Sequence, residues 1–343
     1  MNYIIRNQKL TVEISSRGGE FRSVKDAQGR EYLWQGDAAT WTDRGPNLFP
    51  YIGRMTNKTY QYRGKTYQMD VHGFLPTSEL TLVDQKETEL TLRLESSDET
   101  RKQYPFEFIL DITWKLEDEK ISISYHITNT DDKTMYFGIG GHPGFNIPFE
   151  DGLKFEDYRI DFGEGAKPRS IMLSDDCFIL EKDEPLVLEN GRYLNLRHSL
   201  FDNDSIVLKE MPKEIKLYSE KGNKEIRIAF PDMDYLGFWH WPRVEVDYMC
   251  IEPWSSLPSR KDIVENLENQ ENLTIRQGEV TKLLVEDGKI TGVKTYSGAV
   301  YECKAVVLCT GTYLKARCIY GDISNYTGPN GLQAANYLTD SLK

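Results

Sequence analysis

The 343 residues carry 54 acidic against 42 basic side chains, and the net charge of -12 argues against nucleic acid or an anionic membrane as the main partner. No apolar run approaches the length of a bilayer-spanning helix, and the N-terminus lacks the charged and then apolar segments of a signal peptide. Five widely spaced cysteines without a Cys-x-x-Cys pair fit neither a disulfide framework nor a zinc ribbon, so a cytoplasmic protein of one large or two smaller domains is expected.

Strand-like pieces begin at once. Leu10 to Ser15 alternates and stops at Arg17-Gly18-Gly19. Val24 to Trp34 reads as a hairpin turning near Ala27-Gln28-Gly29, and Tyr60 to Met69 as another turning at Arg63-Gly64. Between them, Arg44-Gly45-Pro46-Asn47-Leu48-Phe49-Pro50-Tyr51-Ile52-Gly53-Arg54 is a shaped loop, and Val71-His72-Gly73-Phe74 interrupts the pattern a little further on. Glu89 to Leu94 and Ile121 to Thr128 alternate cleanly. In the second of these, His126 falls in phase with Ser122 and Ser124, which marks a surface histidine. Helical periodicity is nearly absent before Ser259, so an antiparallel sandwich or barrel is expected.

Gly140-Gly141-His142-Pro143-Gly144-Phe145-Asn146-Ile147-Pro148 then breaks the alternation abruptly. The glycines permit unusual backbone, and the following proline holds His142 extended, so an imidazole should be offered on a stiff loop at a strand end. Phe155 to Asp204 reads as long loops and hairpins; His198 in it is in phase with Leu194, Leu196 and Leu200, a half-buried structural position. His240 sits in the cluster Phe238-Trp239-His240-Trp241-Pro242, which could line a cleft or cap a sandwich end. Tyr248-Met249-Cys250-Ile251-Glu252-Pro253-Trp254 runs an apolar strand into a carboxylate, placed to have a raised pKa. The structural alternative for Glu252 is pairing with Arg54 or Arg260. The 20 Tyr, 14 Phe and 6 Trp suit pleated surfaces and also the apolar faces of sugars.

Four pieces in order, Asn47-Leu48-Phe49-Pro50 with Gly53-Arg54, His72-Gly73-Phe74, Gly140 to Pro148, and Ile251-Glu252-Pro253-Trp254, resemble the aldose 1-epimerase (galactose mutarotase) family, in its bacterial lactose-operon branch. The resemblance implies an all-β antiparallel supersandwich over about residues 1–270, with the site in an open cleft. It further implies interconversion of the α and β anomers of a hexose by general acid and base catalysis, without cofactor or metal. Glu252 matches the family's base and His142 its acid, on opposite sides of the sugar. Arg54 and His72 match residues that bind the ring oxygen and hydroxyls. Asn47, Asn146 and Trp254, from the same motifs, are taken as further substrate-binding positions. Asp232 and Asp234 are candidates for an acidic residue gripping sugar hydroxyls. A carbohydrate-binding protein without turnover, and a metal held by His72, His142 and Glu252, are the competing readings.

After Arg260 the character changes. Ser259 to Asn272 is charged and compatible with helix, and Leu273 to Leu314 reads as three strands turning at Asp287-Gly288 and Ser297-Gly298. Thr312-Tyr313-Leu314, Gly321 to Tyr326 and Gly328-Pro329-Asn330-Gly331 resemble an internal stretch of the large FAD subunit of the tRNA wobble-uridine carboxymethylaminomethyl modification enzyme. That resemblance implies an incomplete α/β fragment of a dinucleotide-binding fold over 271–343. No Gly-x-Gly-x-x-Gly unit precedes it, so no working flavin or tRNA site is expected.

Overall fold

The computed structural model describes residues 1–269, 280–286, 288–295, 300–303, 306, 318–320 and 323–325. The chain divides into two compact units, Met1–Gln270 and Glu271–Lys343.

The first unit is built from antiparallel strands. β1 (Asn2–Arg6), β2 (Leu10–Ser15) and β3 (Phe21–Asp26) form one sheet. After β4 (Asn47–Leu48), β5 (Thr59–Tyr62) and β6 (Lys65–Gln68) make the expected hairpin, with Arg63 and Gly64 at φ of 48° and 71°. Such left-handed pairs match the twist of the flanking strands. β7 (Thr81–Gln85), β8 (Glu89–Glu95), β9 (Phe108–Glu117) and β10 (Lys120–Asn129) form a second sheet, on which His126 is exposed. One short helix, α1 (Asp98–Gln103), was not anticipated; Ser97 and Thr100 cap it reciprocally, a local signal in a chain otherwise dominated by alternation.

The central sheet carries the site. It takes β11 (Gly140–Gly141), β12 (Gly144–Asn146), β14 (Arg169–Leu173), β15 (Ile179–Pro185), β17 (Ile206–Lys209), β20 (Tyr235–Trp239) and β21 (Tyr248–Trp254) together with β4. A further sheet, of β13 (Tyr158–Asp161), β16 (Tyr193–Asn195), β18 (Glu214–Ser219) and β19 (Glu225–Ala229), covers its back. Alternation sorts the side chains of the two innermost strands. Leu236, Phe238, Met249 and Ile251 enter a core with Ile160, Leu217 and Phe201. Tyr235, Gly237 and Trp239, and Tyr248, Cys250, Glu252 and Trp254, occupy the opposite face, where Gly237 lies directly across from Glu252.

The stretch from Ser259 to Asn272, compatible with helix by sequence, forms none where the chain is described. Only a single 3-10 turn forms, at Leu267–Asn269. Arg260 instead spans Glu181 and Glu265, and Arg260 bridges Ile179, so tertiary partners override a weak local preference.

In the second unit, β22 (Val280–Glu286), β23 (Lys289–Thr295) and β24 (Val300–Glu302) form the anticipated antiparallel meander, and β25 (Cys318–Tyr320) pairs β26 (Ile323–Asn325). The described residues of this unit are strands, and no α/β dinucleotide-binding fragment is seen among them. The stretch from Thr312 to Leu314 and the residues from Gly328 onward lie outside the described residues. No described helix is long and apolar enough to cross a membrane.

Candidate active site

Each site element is fixed by close backbone approach. Gly140 faces Leu48 on one side and Trp254 on the other, and a Cβ there would stand 2.6 Å from the Pro253 carbonyl oxygen. Two residues on, the His142 N–H bonds the Pro46 carbonyl at 2.9 Å, so the imidazole leaves the sheet between β11 and β12. The imidazole offered there is 8% exposed, packed against Trp41 at 5.1 Å, His72 at 5.4 Å and Trp239 at 5.7 Å between ring centres.

His142 Nε2 lies 3.2 Å from Glu252 Oε1, and Glu252 is 1% exposed. The expectation of two groups on opposite sides of a sugar is therefore corrected: they stand side by side in direct contact. Glu252 has neither suggested arginine as partner. Arg260 is committed to Glu181 and Glu265, and Arg54 donates to the Asp176 carbonyl at 3.1 Å. Burial pushes the Glu252 pKa well above the ordinary carboxylate value, and the Asp204 carboxylate adds to this; the Trp254 indole partly opposes. Burial, with His72 adding, pushes His142 well below its ordinary value. Each group is thus driven toward its neutral form, and a single proton can shift across the contact between them.

His72 is held in a left-handed turn, φ 65°, by a reciprocal tie to Gly53: its N–H donates to the Gly53 carbonyl at 3.0 Å, and its Nδ1 accepts the Gly53 N–H at 3.1 Å. Accepting at Nδ1 leaves the proton on Nε2, so the free edge of this ring is a donor. Burial, and Arg54 nearby, bring its pKa down to about 4, which keeps that donor neutral. Arg54 is exposed beside it.

An acidic side chain whose charge reaches the pair is Asp204, which sequence reasoning did not single out. It sits at φ 74° just before β17, its Oδ2 accepts the Cys177 thiol at 3.0 Å, and its charge acts on Glu252. The only hint in sequence was Asp202-Asn203-Asp204 ahead of the apolar strand Ile206-Val207-Leu208, residue types that tolerate left-handed backbone. Asp232 and Asp234 are the candidates from sequence for a grip on sugar hydroxyls. Asp234 pairs with Lys213, and Asp232 is exposed on the turn before β20.

Asn47 and Asn146 also have other work. Asn47, 3% exposed, donates to the Gly18 and Gly19 carbonyls and accepts the Tyr125 hydroxyl at 2.7 Å. Asn146 donates to the carbonyls of Glu31 and Leu33. Their amides are spent on holding β4 and β12. The Trp254 ring packs against Gly140 and Gly237, where an added Cβ would stand 2.8 and 2.9 Å from it. The aromatic wall comes largely from residues not singled out in advance: Trp41 and Trp34 stack on Tyr248, with Trp239 edge-on to Trp41. His240 is buried on Phe201, and His198, half-buried as expected, bonds it at 3.3 Å and lies 3.6 Å from Glu156 Oε1.

The donor set suggested for a metal also changes. His72 has no free lone pair once Nδ1 accepts from Gly53. The described side chains that come together are His142, Cys250 and Glu252, all buried, with ligand atoms within 4.8 Å of one another.

The C-terminal residues 258–343 match a family model described as glucose inhibited division protein A. There, the tRNA uridine 5-carboxymethylaminomethyl modification enzyme of Lachnoclostridium phytofermentans is 65% identical over 77 residues, 22% of this chain and 12% of that protein. The rest resembles other proteins. Protein LacX of Lactococcus lactis is 32% identical over 282 residues, 80% of this chain and 94% of its own length. A galactose mutarotase related enzyme from Lactobacillus acidophilus superposes with a TM-score of 0.76 at 30% identity, over 80% of this chain and 92% of that one. A galactose mutarotase-like protein from Lactobacillus casei gives 0.74 at 29% identity, over 78% and 92%. With residues 1–274 matched by the family model for aldose 1-epimerase, the chain belongs to that family.

Proposed function

We propose that the chain is an aldose 1-epimerase, interconverting the α and β anomers of a hexose. The observation that carries this is the His142–Glu252 pair: a carboxyl and an imidazole 3.2 Å apart, buried beside aromatic rings and driven toward neutrality. Anomer exchange moves a proton off the anomeric hydroxyl and another onto the ring oxygen, and both oxygens are bonded to the same carbon. One base and one acid side by side suit that demand.

In the carboxylate and imidazolium form of the pair, Glu252 takes the proton of the anomeric hydroxyl. His142 gives its proton to the ring oxygen. The bond between the anomeric carbon and the ring oxygen breaks, its electrons leave with that oxygen, and a carbonyl forms. Rotation of the carbonyl end and the reverse transfers close the ring on the other face. The opened state leaves Glu252 protonated and His142 neutral, the form that burial favours, so the site stabilises the charge distribution reached when the ring opens. The neutral N–H of His72 is suited to an oxygen acceptor, while Asp204 and Arg54 offer an acceptor and a donor to hydroxyls. Trp41 and Trp239 are suited to the apolar face of a pyranose.

The test is polarimetry from pure α-D-galactose and α-D-glucose with the full chain, His142→Asn and Glu252→Gln. Acceleration by the wild type and its loss in both variants is expected. Tight sugar binding without acceleration by the wild type would make the chain a carbohydrate-binding protein instead.

A further inference from the structure

We infer that His142, Cys250 and Glu252 form a binding site for a thiophilic divalent cation such as Zn²⁺, which occupies the proton-transfer pair and blocks it. Cys250 and Glu252 alternate on β21 and share the face toward His142. The three ligand atoms lie within 4.8 Å of one another, and His142 and Glu252 already approach to 3.2 Å. Tetrahedral zinc with nitrogen, oxygen and sulfur ligands holds its donor atoms roughly 3.3–3.8 Å apart, so adjustments on the order of 1 Å suffice.

The surroundings favour a cation. Glu252 Oε2 and His142 Nδ1 have no hydrogen-bond partner among the described residues, though both are buried. No described arginine or lysine ion-pairs with Glu252, so a buried carboxyl and a buried thiol share the face with no charge to balance their ionised forms. A divalent cation supplies that charge and releases the protons of thiol and carboxyl as it binds. One sulfur, one nitrogen and one oxygen suit zinc or another thiophilic ion over magnesium or calcium, which take oxygen. Three protein ligands leave a fourth position for water or a sugar hydroxyl. His72 does not join the set, because its Nδ1 already accepts the Gly53 N–H.

The site is an inhibitory one, since the atoms that would ligate the ion are those proposed to move protons. The readout nevertheless needs no turnover. The full chain, purified reduced and stripped with chelator, is titrated with Co²⁺ and Zn²⁺. One equivalent of Co²⁺ should raise a thiolate-to-metal charge-transfer band that Cys250→Ser removes and Cys177→Ser keeps. Zn²⁺ affinity by calorimetry should fall at least about tenfold in Cys250→Ser. X-ray absorption of the Zn²⁺-loaded wild type should show one sulfur among nitrogen and oxygen neighbours, which keeps the test open if Cys250→Ser does not fold. An unchanged band and affinity in Cys250→Ser, or a shell without sulfur or with several, overturns the inference. A chain that binds the metal through Cys250 yet turns over no sugar upholds this site and removes the epimerase reading; the reverse result does the opposite.

Discussion

Replacing Glu252 by Gln isolates one proton-accepting atom with little else disturbed. The side chain is 1% exposed, one oxygen meets His142 Nε2 at 3.2 Å, and the other makes no well-formed hydrogen bond, though the Trp254 indole acts on the carboxyl. The amide has the same shape, and its NH₂ can donate to the same imidazole nitrogen, so packing and ring position survive. What disappears is the base. General-base catalysis contributes about 10²–10⁴-fold, so kcat should fall by that factor, about 3 to 5 kcal/mol in barrier. Stability should move the other way. A carboxyl whose folded pKa is raised is more readily ionised in the unfolded chain, so raising pH through and above the ordinary carboxylate range weakens the wild-type fold. Glutamine escapes this, and the Tm of the variant relative to wild type should rise with pH across that range. Polarimetry from α-D-glucose and thermal melts from acid to neutral pH measure both. A variant with near wild-type kcat and a pH-independent Tm difference would refute the assignment.

Turnover needs one proton on the pair, so kcat/KM should follow a bell-shaped pH profile. Low pH protonates both groups and removes the base; high pH strips both and removes the acid. The two limbs belong to the pair and not to either residue, and a profile without an alkaline limb would contradict it. Asp204→Asn should raise KM about 10- to 100-fold by loss of a charged acceptor, and by removing a charge that acts on Glu252 it should move the alkaline limb to lower pH; an unmoved limb tells against that coupling. Gly73→Ala places a Cβ 2.2 Å from the Phe49 carbonyl oxygen at φ 77°, so stability should drop by about 1–3 kcal/mol. Denaturant melts read that loss, and a neutral result would mean that the turn holding His72 is slack. The purified full chain should show no visible flavin absorption, and bound flavin would reverse the reading of its C-terminal part.

The fold was legible because alternation is a backbone property. Leu10–Ser15 and the strands around Glu89–Glu95 and Lys120–Asn129 fall where their pattern placed them. His142 and Glu252 were legible for a different reason: a histidine among glycines and prolines, and an acid inside an apolar strand, violate the pattern around them. Asp204 violates nothing locally. Its importance comes from a loop arriving beside Cys177 and Glu252, which is tertiary information. Asn47 and Asn146 mislead in the opposite direction, since a polar side chain in a shaped loop serves equally well to close that loop on itself. The contact between His142 and Glu252 was likewise invisible, because residues 110 positions apart carry no distance in their spacing.

The division of labour along β21 has a consequence for how this protein can vary. Met249 and Ile251 belong to the core, while Cys250 and Glu252 belong to the site, one residue out of step. Adding or deleting a single residue in that strand would exchange the two sets, sending the carboxyl into the core and an isoleucine toward the ligand. Fold and chemistry therefore share one point of failure there, and the strand is closed to insertion. The loops that present Cys177 and Asp204 carry no such double duty. Residues in those loops can change without shifting the register of the sandwich.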